Sequence, residues 1–218
     1  MPTLGPAPPA QATHAPAGAD RLRMFALCVV FVASGFAALL YQNAWQRSLF
    51  AIYGINIESV TVVVTAFMLG LGLGSLAGGR LSKDPARSVL VLFGLVEMGI
   101  GAFGFVSLDL FHRVGAMTLR MPPVATAVVT FLLVLVPTLL MGMTLPLLVA
   151  DWARRSGNVG RSVGMLYFVN TLGSALACFA AIGWLLPRLG LSRTVTVAAA
   201  INSTVGLAVL ALSRRSVR

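Results

Sequence analysis

Glu97 is the one acidic residue deep inside an apolar stretch, near the middle of the run 88–108. An ionisable group at such a depth costs on the order of 3 kcal/mol on insertion scales, so it is a functional hypothesis by default. Gly94, Glu97, Gly101 and Gly104 recur at helical spacing, which sets the carboxyl on a small-residue face rather than toward lipid. Two chemistries fit. A protonated carboxyl could hydrogen-bond a neighbouring helix as structural glue. A cation or proton site would use the carboxylate as the natural partner of an ammonium group.

The groups able to work with Glu97 are polar side chains in other apolar runs. Asn170, Ser174 and Cys178 share one helical face by their spacing of four, Thr171 is beside them, and Asn202 lies in the last run. They could bond helix to helix or line a polar cavity. Thr138 and Thr144 accompany Pro137 and Pro146, where free backbone groups could open a local cavity or simply kink the helix. Tyr41-Gln42-Asn43-Ala44-Trp45-Gln46-Arg47 reads as an outer interface belt, with Gln42 left over for ligand contact.

Other chemistries are poorly served. His14 falls in an N-terminal tail and His112 in a loop, so no haem or metal site is expected within the spans. Cys28 and Cys178 lie in apolar runs as packing residues. Gly72-Leu-Gly74-Ser-Leu-Ala77 fits a relaxed dinucleotide fingerprint, with Glu97 twenty residues past Ala77. That motif needs a short strand before it and an amphipathic helix after it, and here a long apolar run leads into a charged, Pro-containing loop. No cofactor, no metal and no catalytic residue is expected. A solitary enzyme would need a Ser/His, paired Asp or metal constellation, which the spans lack.

The elements that must position these residues follow from composition. The chain has 218 residues, 58% hydrophobic and only 10% charged, against about a quarter charged in soluble domains. Apolar runs of membrane-spanning length separated by charged clusters predict an all-α polytopic membrane protein whose partner is the lipid bilayer. Six spans are expected near 24–42, 59–79, 88–108, 124–150, 162–186 and 192–212, forming one domain (21–218) after a disordered Pro/Ala-rich tail (1–20). The net charge of +10 sits at span ends as a topology signal, so nucleic acid is not an expected partner. With both termini cytoplasmic, eleven basic residues fall inside and five outside. That bias suits an inner-membrane, multi-pass protein with an even number of spans.

Helix packing is written in glycines. Gly70, Gly74 and Gly78 form one bare strip just before the basic loop that begins at Arg80, and Gly94 and Gly101 form another beside Glu97. Leu73-Gly74-Ser75 returns as Leu172-Gly173-Ser174, a faint sign of two three-helix repeats. Three being odd, such repeats are inverted in the membrane.

In order along the chain come Tyr41–Arg47, FMLGLGLGSLAGGR (67–80), Glu97 in LVEMGIG, PTLLMGMTLPLL (137–148) and GRSVGMLYFVNTLGSALACF (160–179). Together they resemble the membrane domain of the fused major-facilitator-like/spermidine synthase family, over roughly residues 24–212. The resemblance implies a bundle like half a major-facilitator unit. Family members also carry a soluble aminopropyltransferase-like domain after these helices. No such domain is legible here, so the resemblance implies fold and membrane placement but not catalysis. A stand-alone membrane module and part of a longer fused protein both fit.

The expected function is binding or transport of a small cationic metabolite such as a polyamine, or its delivery to a cytoplasmic aminopropyltransferase-like protein. Glu97, Gln42, Asn170 and Asn202 are the expected binding residues. The alternative is a non-transporting anchor or assembly subunit that binds a membrane partner through its glycine faces. A second copy of the chain is a further candidate partner.

Overall fold

The computed structural model describes residues 17–54, 57–84, 88–118 and 120–215. They form α1 (Ala17–Tyr53), α2 (Ile57–Leu81), α3 (Val89–Thr118), α4 (Pro123–Ser156), α5 (Val159–Ala180) and α6 (Leu186–Arg215). A five-residue π-helical stretch, Ala181–Leu185, joins the last two. No strand occurs among the described residues. Such a chain has few alternatives to helix, because each backbone donor finds its acceptor within the same segment. Large apolar side chains such as Met68, Phe105 and Phe179 point outward, the reverse of a water-soluble surface and compatible with a lipid surround.

Five helical runs are long and apolar enough to cross a membrane, not the six expected. The expected fifth and sixth spans are carried by one 55-residue run, Val159–Ser213. Pro187 does not break it: the π-helical stretch Ala181–Leu185 runs directly into α6 at Leu186. The path breaks at Gly190, whose φ of 73° and ψ of 179° are non-helical. A straight helix of that length would extend about 80 Å. Asn170 on α5 and Asn202 on α6 nevertheless line one small cavity, so the chain doubles back at Gly190.

Other expectations shift as well. α1 continues to Tyr53 and α3 to Thr118, so the 41–47 group and His112 are helical rather than belt and loop. The tail expected at 1–20 lies outside the described residues, except 17–20, which open α1.

The helices meet in matched crossings. α2 packs chiefly on α4, α5 on α1, and α3 on α6. At the first crossing, a Cβ on Gly74 would strike the Leu139 carbonyl and one on Gly142 the Leu71 carbonyl. At the second, a Cβ on Gly173 would strike the Val32 carbonyl and one on Gly35 the Asn170 carbonyl. Leu71 and Gly74 thus stand on α2 as Asn170 and Gly173 stand on α5, and Val32 and Gly35 on α1 as Leu139 and Gly142 on α4. Gly70 also abuts Thr138, and Gly78 abuts Met143. On α3, Gly94 meets Leu210 and Gly206, while Gly101 meets Ala199 and Ser203. Contact this close is available only where no side chain intervenes.

One end of the bundle gathers the start of α1, the ends of α2 and α4, and the start of α5. There the Arg154 guanidinium donates to the Ser82 carbonyl, and Arg23 pairs with Asp151 at 3.6 Å. Asn158 caps α5, its Oδ1 accepting from the Arg161 backbone N–H at 2.9 Å.

Candidate functional site

The centre of the bundle holds a cavity of about 140 Å³. Its polar lining comes from Ser34 and Gln42 on α1, Thr144 on α4, Asn170 and Ser174 on α5, and Asn202 on α6. Phe67, Leu71, Ile100 and Met141 supply much of the apolar remainder.

Glu97 stands one layer behind this wall. It is fully buried, at 0% exposure. Ser34 Oγ donates to its Oε1 at 2.5 Å, and Asn202 Nδ2 donates to its Oε2. Both donors line the cavity, whereas Glu97 does not. The carboxyl therefore reaches the cavity through two intermediary side chains. Gly94 and Gly101, a turn to either side of it on α3, let α6 approach closely.

The contact with Glu97 also orients Asn202. With its amide nitrogen committed to the carboxyl, the amide oxygen must point the other way. That Oδ1 is buried and accepts from no donor among the described residues. A buried acceptor without a partner costs about 1–3 kcal/mol. Half-buried Gln42 and Asn170 likewise make no side-chain hydrogen bond among the described residues. Ser174 Oγ is used as a donor, to the Gly35 carbonyl at 3.1 Å, but keeps its lone pairs. Thr144 Oγ1 donates to its own helix, at Met141 O.

The structure thus brings Gln42, Asn170 and Asn202 to one cavity and sets Glu97 behind it. Cys178 departs from the face it was expected to share, being exposed. Thr138 is absorbed in packing, its hydroxyl 2.9 Å from Val134 O and 3.4 Å from Ala66 O. Ser34 was missed by sequence reasoning, although a serine beside Gly35 within an apolar run was the available signal.

The interface belt is corrected. Tyr41 and Trp45 are both at 0% exposure, stacked with ring centroids 4.6 Å apart. Phe103 and Phe111 meet Trp45 edge-on, and Trp45 Nε1 donates to Ser107 Oγ at 2.9 Å. The Tyr41 ring is seated against Gly104, where a Cβ would collide with it. These rings are core because α1 runs on through this level and α3 offers a bare glycine to receive them. His112 lies on exposed helix, its Nδ1 2.7 Å from Leu108 O.

No family model matches the chain, and no solved structure matches it. Two curated proteins are similar in sequence. The polyamine aminopropyltransferase 1 of Streptomyces coelicolor is 28% identical over 207 residues, covering 94% of this chain and 36% of that protein. The polyamine aminopropyltransferase of Oceanobacillus iheyensis is 24% identical over 167 residues, covering 77% of this chain and 31% of that protein. The chain therefore spans about a third of the length of these relatives. Distant similarity to polyamine aminopropyltransferases over most of its length is thus joined, in this chain, to membrane-length apolar helices.

Proposed function

We propose that the chain is a membrane module that binds a small cationic metabolite of the polyamine class in its central cavity. It either moves that metabolite across the inner membrane or hands it to a cytoplasmic aminopropyltransferase-like partner or domain. The observation that carries this reading is the Glu97–Asn202 contact. It turns an unpaired amide oxygen away from a buried carboxyl at the edge of a cavity that Gln42 and Asn170 also line. An ammonium group has three N–H donors and no acceptor, so a cavity lined by amide side chains and backed by a carboxyl suits it. At about 140 Å³ the cavity has the volume of roughly five waters. It would hold one ammonium end with a short methylene stem while the rest of the molecule extends beyond.

In this reading the run Val159–Ser213 crosses the membrane twice, which makes six spans with both termini cytoplasmic. The three-helix halves are inverted repeats, like half a major-facilitator bundle. The matched crossings support this, and so does the α3–α6 contact. Exchange of Gly94 with Ala199, Met98 with Ser203 and Gly101 with Gly206 carries the Gly94–Gly206 contact onto Gly101–Ala199 and the Gly101–Ser203 contact onto Gly206–Met98. The same exchange carries the Glu97–Asn202 pair onto itself, so the pair sits at the pseudo-twofold.

Spermidine binding and uptake in proteoliposomes test the proposal, with wild type set against Glu97→Gln. Wild type is expected to bind spermidine saturably, and the variant at least roughly tenfold more weakly. Absence of saturable binding in both proteins would sink the binding reading. The anchor alternative predicts instead a stoichiometric copurifying partner that is lost on Gly79→Leu, a position with nothing of this chain within 4 Å of its Cβ site.

A further inference from the structure

A second cavity, of about 300 Å³, lies at the arginine-rich end between the start of α1, the end of α4 and the start of α5. Arg23, Arg155 and Arg161 line it together with Asp151, and Leu27 and Trp152 form an apolar floor. Asp151 holds two of the arginines: its Oδ1 is 3.6 Å from Arg23 Nη2 and its Oδ2 is 3.3 Å from Arg155 Nε. Three guanidiniums against one carboxylate leave a formal charge of +2. Arg161 makes no side-chain hydrogen bond or ion pair among the described residues, and it sits in the first turn of α5, where the helix dipole adds positive potential.

We infer that this cavity binds the phosphate headgroup of an anionic phospholipid. Guanidinium forks match phosphate oxygens bidentately, and basic pockets between helices at a membrane surface suit such headgroups. Asp151 acts as a positioning residue, holding Arg23 and Arg155 at the rim with Arg161 left to engage the anion. A lipid fits better than free phosphate because Met24, Leu27 and Trp152 give the cavity an apolar side against which the start of an acyl chain would lie.

Trp152 on the cavity floor reports occupancy. The full chain carries Trp184→Phe, to silence the half-exposed tryptophan, and is reconstituted in phosphatidylcholine vesicles. Trp45 is fully buried in the core, so brominated phosphatidylglycerol should quench the Trp152 part of the remaining fluorescence at roughly tenfold lower mole fraction than brominated phosphatidylcholine. Arg155→Gln with Arg161→Gln should abolish that preference, and Arg161→Gln alone, which breaks no ion pair, should reduce it. Arg47→Gln with Arg113→Gln removes the same charge elsewhere and should leave it intact. Equal quenching by the two lipids, or a preference that survives the Arg155/Arg161 change, overturns the inference. So does protection of Trp152 by millimolar inorganic phosphate without any lipid preference, since the occupant would then be a soluble anion.

Discussion

The α2–α4 and α1–α5 crossings use the same backbone device and carry opposite chemistry. Each is closed by a glycine on either helix, seated on the partner's carbonyl: Gly74 and Gly142 in one, Gly173 and Gly35 in the other. Yet the corresponding positions that face the central cavity are Leu71 and Met141 at the first crossing, and Asn170 and Ser34 at the second. Close approach is a backbone property and tolerates no variation. The side chains beside it are free to differ, so at these positions one crossing is apolar and the other polar, with Glu97 behind Ser34. Scaffold and chemistry are separable here, and substitutions can be chosen that touch one without the other.

The largest effect is expected where the scaffold itself is struck. Gly74→Leu and Gly173→Leu should each destabilise the bundle by at least about 3 kcal/mol, because the obstructing atoms are backbone and cannot rotate away. Detergent-solubilised protein should lose its monodisperse peak in size-exclusion chromatography. Gly72→Leu, with nothing within 4 Å of its Cβ position, should elute as wild type. If the two glycine variants behave differently from each other, the crossings are not equivalent.

Next comes the carboxyl behind the polar crossing. Glu97→Ala leaves the Ser34 hydroxyl and the Asn202 amide without their acceptor, at a cost of about 1–3 kcal/mol for each group stranded. A lowered thermal midpoint is the expected readout. Glu97→Gln should be milder in stability and severe in binding. Its amide nitrogen seeks an acceptor, so the Asn202 amide turns over and presents N–H groups to the cavity in place of its oxygen.

Exchanging chemistry between the walls gives a smaller, sharper test. Asn170→Leu copies the Leu71 side of the comparison into the polar crossing. It should weaken spermidine binding roughly tenfold, the loss of about one hydrogen bond to a charged group, while leaving the thermal midpoint near wild type. A large loss of stability would show that Asn170 serves packing rather than the cavity.

The smallest expected change is Ser34→Ala. It removes one of the two donors to Glu97 and should cost about 0.5–1.5 kcal/mol in denaturant or thermal unfolding. No change would mean that the Asn202 contact alone holds the carboxyl.

Much of this was legible from residues alone, for a reason rooted in solvent. In hydrocarbon, length and apolar composition leave helix as the available state for these runs, so the all-helical class follows from reading the chain. That Glu97 would need partners follows too, because a carboxyl at that depth is costly wherever the chain then folds. Glycine spacing on α2 and α3 named bare faces without naming what would cover them. What packs on each face is a long-range matter: Gly74 meets Leu139, and Glu97 meets both Ser34 and Asn202. Local pattern carries no term for those pairings. Tertiary structure alone decided that Tyr41 and Trp45 are core, since an aromatic-polar cluster reads the same at an interface or beside Gly104. It also decided that Glu97 stands behind the cavity rather than in it, because burial depth depends on which helices close around a residue.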